Sequence, residues 1–209
     1  MPLTEDGFNP SSLNDPVALQ TQWVLISKLH SGLRRDHNLI RTNNFQLEFK
    51  ATMGCILLFS IPLVLLLTFS ISCLVNILSG LPPREFIVDV VVGLLSLAFM
   101  IAMGCILYLI TTPVIFDMRI RAVWKGRKTP MVIGDMKGIK HFTKFDDIYA
   151  LQVLSKYSYG KASGYVYELN LVLKNGTRIF LVSYKGEEEI VEDCQVLSKF
   201  LGKPVWNAI

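Results

Sequence analysis

Few residues in this chain are of a type and spacing that suggest chemistry. Asp146 and Asp147 are adjacent carboxylates, as a general base or a bound cation would require, but they open an alternating stretch and read as a polar strand start. His141 has no Ser, Cys or carboxylate at a spacing that would make it a catalytic partner, and His30 and His37 read as surface polar residues. Cys55, Cys73 and Cys105 lie in apolar stretches and Cys194 on an expected helix, with no CxxC pair, so all four read as small buried hydrophobes. The chain contains no G-x-S-x-G, H-E-x-x-H, P-loop or dinucleotide-binding glycine motif. A non-enzymatic protein is expected, with no catalytic residue, no metal and no cofactor. The suggestive surface is basic: Arg119, Arg121, Lys125, Arg127 and Lys128, with Trp124 among them. Each Lys or Arg held near an anionic leaflet gains about 1 kcal/mol. These six residues are therefore the candidate lipid- or partner-binding site, although the same charges also serve to fix membrane topology. The charge of the C-terminal domain is mixed, so nucleic acid is not expected as a partner.

The elements that must position this cluster follow from the distribution of charge. No charged residue occurs from Ala51 to Pro83, and none from Val90 to Phe116. About 20 apolar residues cross a hydrocarbon core roughly 30 Å thick, so both runs are long enough. They predict a transmembrane hairpin over residues 51–116, with helices at about 52–77 and 86–110 and a turn at Leu81-Pro82-Pro83. Pro62 is tolerable inside a membrane helix, Tyr108 suits an aromatic belt, and Ala98 and Ala102 form a small-xxx-small pair for close helix approach. No acid, base or His lies deep in either run, which argues against a channel or transporter. Arg34, Arg35, Arg41 and Lys50 precede the hairpin and five cations follow it, whereas the turn has Arg84 beside Glu85. The positive-inside rule then places both termini in the cytoplasm.

Residues 1–50 form a cytoplasmic N-terminal segment. It lacks the apolar core of a signal peptide and opens a helix at Asp15-Pro16, a cap followed by proline at the first helical position. Leu19, Trp23, Ile26 and Leu33 suit an amphipathic helix over about 16–33. Such a helix either lies in the membrane interface with Trp23 at headgroup depth or packs on the C-terminal domain. Residues 117–209 change to a period of two. Strands are expected at 114–117, 121–124, 139–142, 147–156, 164–173 and 177–184, with Asn175-Gly176 as a type I′ hairpin turn. A closing helix at 187–201 begins with Glu187, Glu188 and Glu189, carries Ile190, Cys194, Leu197 and Leu201 on one stripe, and stops at Gly202. The fold class is thus a two-helix transmembrane hairpin plus a cytoplasmic α+β domain, an antiparallel meander of pleckstrin-homology-like (PH-like) outline.

Phe116-Asp117, Trp124-Lys125-Gly126, Ile148-Tyr149-Ala150-Leu151-Gln152, the run Tyr167 to Leu173 and the run Phe200 to Trp206 resemble bacterial inner-membrane proteins of uncharacterised function. These carry two transmembrane helices and a cytoplasmic β-rich, PH-like domain. The resemblance covers about residues 50–209 and brings no catalytic residues. It implies an inner-membrane protein whose anchored domain binds a protein or anionic lipid headgroups. Some of the similar proteins are encoded near interbacterial toxins, which implies the alternative of an immunity protein with a membrane-acting toxin as partner.

Overall fold

The computed structural model describes residues 8–26, 37–80, 82–130, 140–158 and 163–209, and their side chains except at 83–85, 140 and 141. The expectations for Lys28, His30, Leu33, Arg34 and Arg35 and for the side chain of His141 lie outside the described residues. Two compact units are present, one made of Ala51–Thr112 and the other of Met1–Lys50 together with Pro113–Ile209.

The first unit is a helical hairpin of α2 (Met53–Leu78) and α3 (Pro83–Ile110). Thr52 caps α2 by accepting the Cys55 N–H on its hydroxyl, and Pro83 occupies the first turn of α3, where a missing N–H costs nothing. Gly80 makes the turn at φ +76°, a conformation that favours glycine. Both helices are long and apolar enough to cross a membrane, and almost none of their residues are fully buried within the protein. On α2 the less exposed positions run 59, 63, 66, 70, 73, 77, and on α3 they run 89, 93, 96, 100, 103, 107, the alternating spacing of a knobs-into-holes seam. Ser70 and Ser96 share a 2.7 Å hydrogen bond on that seam, and Gly93 lies against Cys73. The small pair Ala98 and Ala102 is exposed, so close approach uses Gly93 and Ser96 instead.

The second unit holds two sheets. One has the order β1-β2-β3-β4-β5, from His37–Asn43, Gln46–Ala51, Val114–Asp117, Ala122–Lys125 and Lys140–Lys144. The other has the order β8-β7-β6-β9, from Arg178–Tyr184, Gly164–Leu173, Ile148–Ser158 and Val205–Ala208, with β9 parallel to β6 and the remaining pairs antiparallel. Alternation puts Leu47, Phe49, Val114, Phe116 and Val123 of the first sheet and Leu151, Val153, Leu169 and Leu171 of the second into one core. Helix α4 (Glu187–Leu201) adds Ile190, Cys194 and Leu197 and ends at Gly202, whose φ of +64° suits glycine. The Asn175-Gly176 turn is not type I′, because only Gly176 takes a positive φ. The Gly176 N–H donates to the Leu173 carbonyl and the Leu173 N–H to the Thr177 carbonyl, which gives a three-residue loop with glycine last.

The N-terminal helix is much shorter than its apolar spacing suggests. Helix α1 covers only Pro16–Gln20, capped by Asp15, and the chain from Thr21 to Ile26 is not helical. Trp23 packs on the C-terminal part of the chain: it is buried with Ala150, Leu154, Val172 and Trp206 on the outer face of the second sheet. Residues 8–26 therefore form a strap over that face. Among its fastenings, the Tyr149 hydroxyl donates to Asp15 Oδ2 at 2.9 Å.

Two expectations follow. Burial pushes the Cys194 thiol up to about 12, so a maleimide at pH 8 should leave it unmodified in the native protein and label it after denaturation. Labelling of Cys194 at the denatured rate would contradict the core described here. The hydrogen bond to Asp15 raises the Tyr149 hydroxyl above its usual value of 10. An acid that loses its proton later when folded lends its full stability below pH 10 and loses it as pH climbs from there through the folded value. The thermal midpoint of Tyr149→Phe should then fall less between pH 9 and pH 11 than that of the parent; identical slopes would remove this bond from the strap's support.

Candidate functional site

The basic cluster sits on the β3–β4 hairpin, which divides it. At the turn, buried Asp117 accepts the Arg119 N–H on Oδ1 at 2.7 Å, and the Met118 N–H donates to the Phe45 carbonyl at 2.8 Å. The Arg119 guanidinium stands 5.3 Å from the Phe45 ring centroid. Arg121 adopts φ +50° and pairs with Asp146 at 2.8 Å. That hydrogen bond and the charge of the guanidinium hold the Asp146 carboxyl below its usual range. Asp147 lies in a short 3₁₀ turn and accepts the Lys174 N–H on its main-chain carbonyl. The acidic pair thus supports turns, and the described residues contain no group of three His, Cys, Asp or Glu able to hold a metal ion.

The other cations lie at the opposite end of the hairpin. Lys125 is opposite Val114 on one side and Lys140 on the other, and the Gly126 N–H donates to the Pro113 carbonyl at 3.1 Å. Phe49 is also opposite Val114, so Lys50, the next residue, lies at the same end of the sheet. Lys50, Lys125, Lys140, Arg127 and Lys128 therefore share the end of the sheet at which the chain passes into and out of residues 51–112. Arg119 and Arg121 are about 10 Å away along the strands, at roughly 3.3 Å per residue over the three-residue offset between Ala122 and Lys125. Arg127 and Lys128 are exposed, Lys125 is half-buried, and Lys50 reaches Glu48 at 3.0 Å.

Trp124 belongs to the interior and not to a contact surface. Only 1% of it is exposed, and it stands in a cross-strand row with Glu48 and Ile115 on the face of the first sheet away from the core. Its indole N–H donates to the Lys128 carbonyl at 2.9 Å. Its role is positional, because it fixes the segment that carries Arg127 and Lys128. Sequence spacing missed Lys50 and Lys140 as members of the cluster. Lys50 precedes the hairpin and Lys140 follows a long loop, so only strand register brings them together.

Neither a protein-family model nor a curated protein matches the chain.

Trp124→Phe keeps most of the ring and removes the donor. It should destabilise the unit by more than about 1 kcal/mol, the net worth of one such hydrogen bond, because the smaller ring also leaves a cavity. It should also speed amide exchange across residues 126–130 while leaving β6 and β7 unchanged. Unaltered exchange in that segment would mean that the indole does not hold it.

Proposed function

We propose that this protein is a membrane-anchored, non-enzymatic binding module of a bacterial inner membrane, with both termini cytoplasmic. In this reading α2 and α3 span the bilayer, and the two-sheet unit, PH-like in its packing of two sheets with a C-terminal helix, sets its basic end against anionic lipid headgroups. The observation that carries the reading is a coincidence of position. Five cationic residues, Lys50, Lys125, Arg127, Lys128 and Lys140, gather at the end of the sheet joined covalently, at Lys50 and Pro113, to two helices long and apolar enough to cross a membrane.

Magnitudes favour that end over the other. Attraction to an anionic leaflet is worth about 1 kcal/mol per nearby cation and decays over a Debye length of about 8–10 Å. Arg119 and Arg121, about 10 Å farther along the strands, fall at the limit of that range, and Arg121 is already paired with Asp146. Lys50 is itself paired with Glu48, which reduces its share.

The test is lipid retention by the full chain purified in mild detergent and weighed by native mass spectrometry. The parent should keep anionic lipid in preference to zwitterionic lipid. The triple variant Lys125→Glu, Arg127→Glu, Lys128→Glu should keep at least three-fold less, whereas Arg119→Glu with Arg121→Glu should behave as the parent does. Equal retention by parent and triple variant would sink the proposal.

A further inference from the structure

The outer face of the second sheet carries side chains that plain packing would not select. Gln152, Glu168 and Asn170 are buried there without measurable exposure, among Ala150, Leu154, Val172, Trp206 and Ala208. Of these, Gln152 and Glu168, together with Arg178, meet the strap through its main chain. Gln152 Nε2 donates to the Gln22 carbonyl at 3.1 Å, and an Arg178 guanidinium N–H donates to the Val24 carbonyl at 2.8 Å. The Ile26 N–H donates to the Glu168 carboxylate at 2.9 and 3.1 Å. The contacted residues alternate, 22, 24 and 26, which is the repeat of an extended segment. The four sheet side chains are also tied to one another, Arg178 to Gln152 Oε1 at 3.2 Å and Asn170 Nδ2 to Glu168 Oε1 at 2.8 Å.

Recognition here is of backbone plus one aromatic anchor. Trp23 supplies the anchor, its ring 5.7 Å from Trp206 and 4.7 Å from Phe8. Domains that hold extended peptides divide the work in the same way, main-chain hydrogen bonds for affinity and a side-chain pocket for specificity. Among the described residues no backbone–backbone hydrogen bond joins 8–26 to the sheet. The strap can therefore leave without opening the β6–β7–β8 ladder. A further feature points past the resident segment. Asn170 Oδ1 is buried and has no hydrogen-bond partner, so the face carries an acceptor that this strap does not meet.

We propose that this face is a peptide-recognition surface whose resident occupant is the chain's own strap. An extended segment of a partner protein, bearing an indole at the Trp23 position and a hydrogen-bond donor beside it, displaces the strap. The unmet Asn170 acceptor selects between occupants. A second copy of this chain would bring the same strap and leave Oδ1 unmet, whereas a foreign segment with a donor would satisfy it. The surface is distinct from the basic end of the first sheet, so it stands or falls separately from lipid contact.

The experiment uses the full chain in detergent and a fluorescent synthetic peptide of residues 8–26. The peptide should bind the Trp23→Ala chain, whose own anchor is gone, at least ten-fold more tightly than the parent chain, and adding Arg178→Ala should abolish that gain. Because Trp23→Ala risks unfolding the unit, hydrogen exchange on the parent gives an independent reading: the Ile26 amide should exchange at least 100-fold faster than the paired amides of β6 and β7. An asparagine scan across positions 21–26 of the peptide should find a position that tightens binding. Equal affinity for the two chains, or Ile26 exchanging at the rate of the ladder, overturns the proposal. So does a scan that finds no improvement, and so do strap-exchanged dimers of the parent chain, which would assign the face to a second copy.

Discussion

The pairing of β2 with β3 is the constraint on which the rest of the β unit depends. Gln46 to Phe49 run antiparallel to Val114 to Asp117, so two stretches separated by the whole helical hairpin lie side by side in one ladder. That ladder places both junctions to residues 51–112 at one end of the sheet. It also completes the core, because Leu47 and Phe49 come from before the hairpin and Val114 and Phe116 from after it. A chain cut at either junction would leave an unpaired strand edge and an open apolar face, which is the usual route to aggregation. The hairpin is therefore an insertion within a β unit, and not a separator between a tail and a domain.

This arrangement explains which parts were legible in the sequence. The two helices were, because a run without charge long enough to cross a bilayer has few other physical readings. Strands β6, β7 and β8 and helix α4 were too, since each carries its own period. Strands β1 and β2 were not: what makes residues 46–51 a strand is a partner more than 60 residues later. Strand β9 was missed for a related reason, since Val205–Ala208 is short and is held by a parallel partner, β6, from another part of the chain. At residues 21–26 the apolar spacing fitted a helix, but the main-chain groups that a helix would bond internally are taken by Gln152, Glu168 and Arg178. The basic site was half legible. Its residue types were plain in the sequence, but Trp124 is buried on the far face of its sheet, held to the Lys128 carbonyl, and register split the cations between two ends.

The polar face beneath the strap runs against economy of folding. Burying a carboxylate and two amides is unfavourable unless each is well satisfied, and apolar residues of similar volume often serve stability as well or better. Gln152, Glu168 and Asn170 share a face that Ala150, Leu154 and Val172 show to be otherwise apolar. What the polar set adds is direction. A carboxylate that accepts one N–H and donors that reach two carbonyls accept a main chain in a single register, which a greasy face would not impose.

The helical hairpin is built on the opposite plan. Its hydroxyls mostly return to the helix that carries them, Thr68 to the Leu65 carbonyl and Ser79 to Val75, and of Ser70 and Ser96 one donates to its own helix, at Leu66 or Gly93, while the other donates across to it. The contact between Ser70 and Ser96 is a polar link between the helices, and such links average about 0.6 kcal/mol in a membrane. Association of the pair then rests mainly on the fit of the seam around Cys73, Gly93 and Gly104. The pair is thus fastened mainly by shape, with most of its described serine and threonine hydroxyls turned to their own backbone. The directional chemistry of this chain lies on the two sheets, at the basic end that Trp124 fixes and on the face that the strap covers.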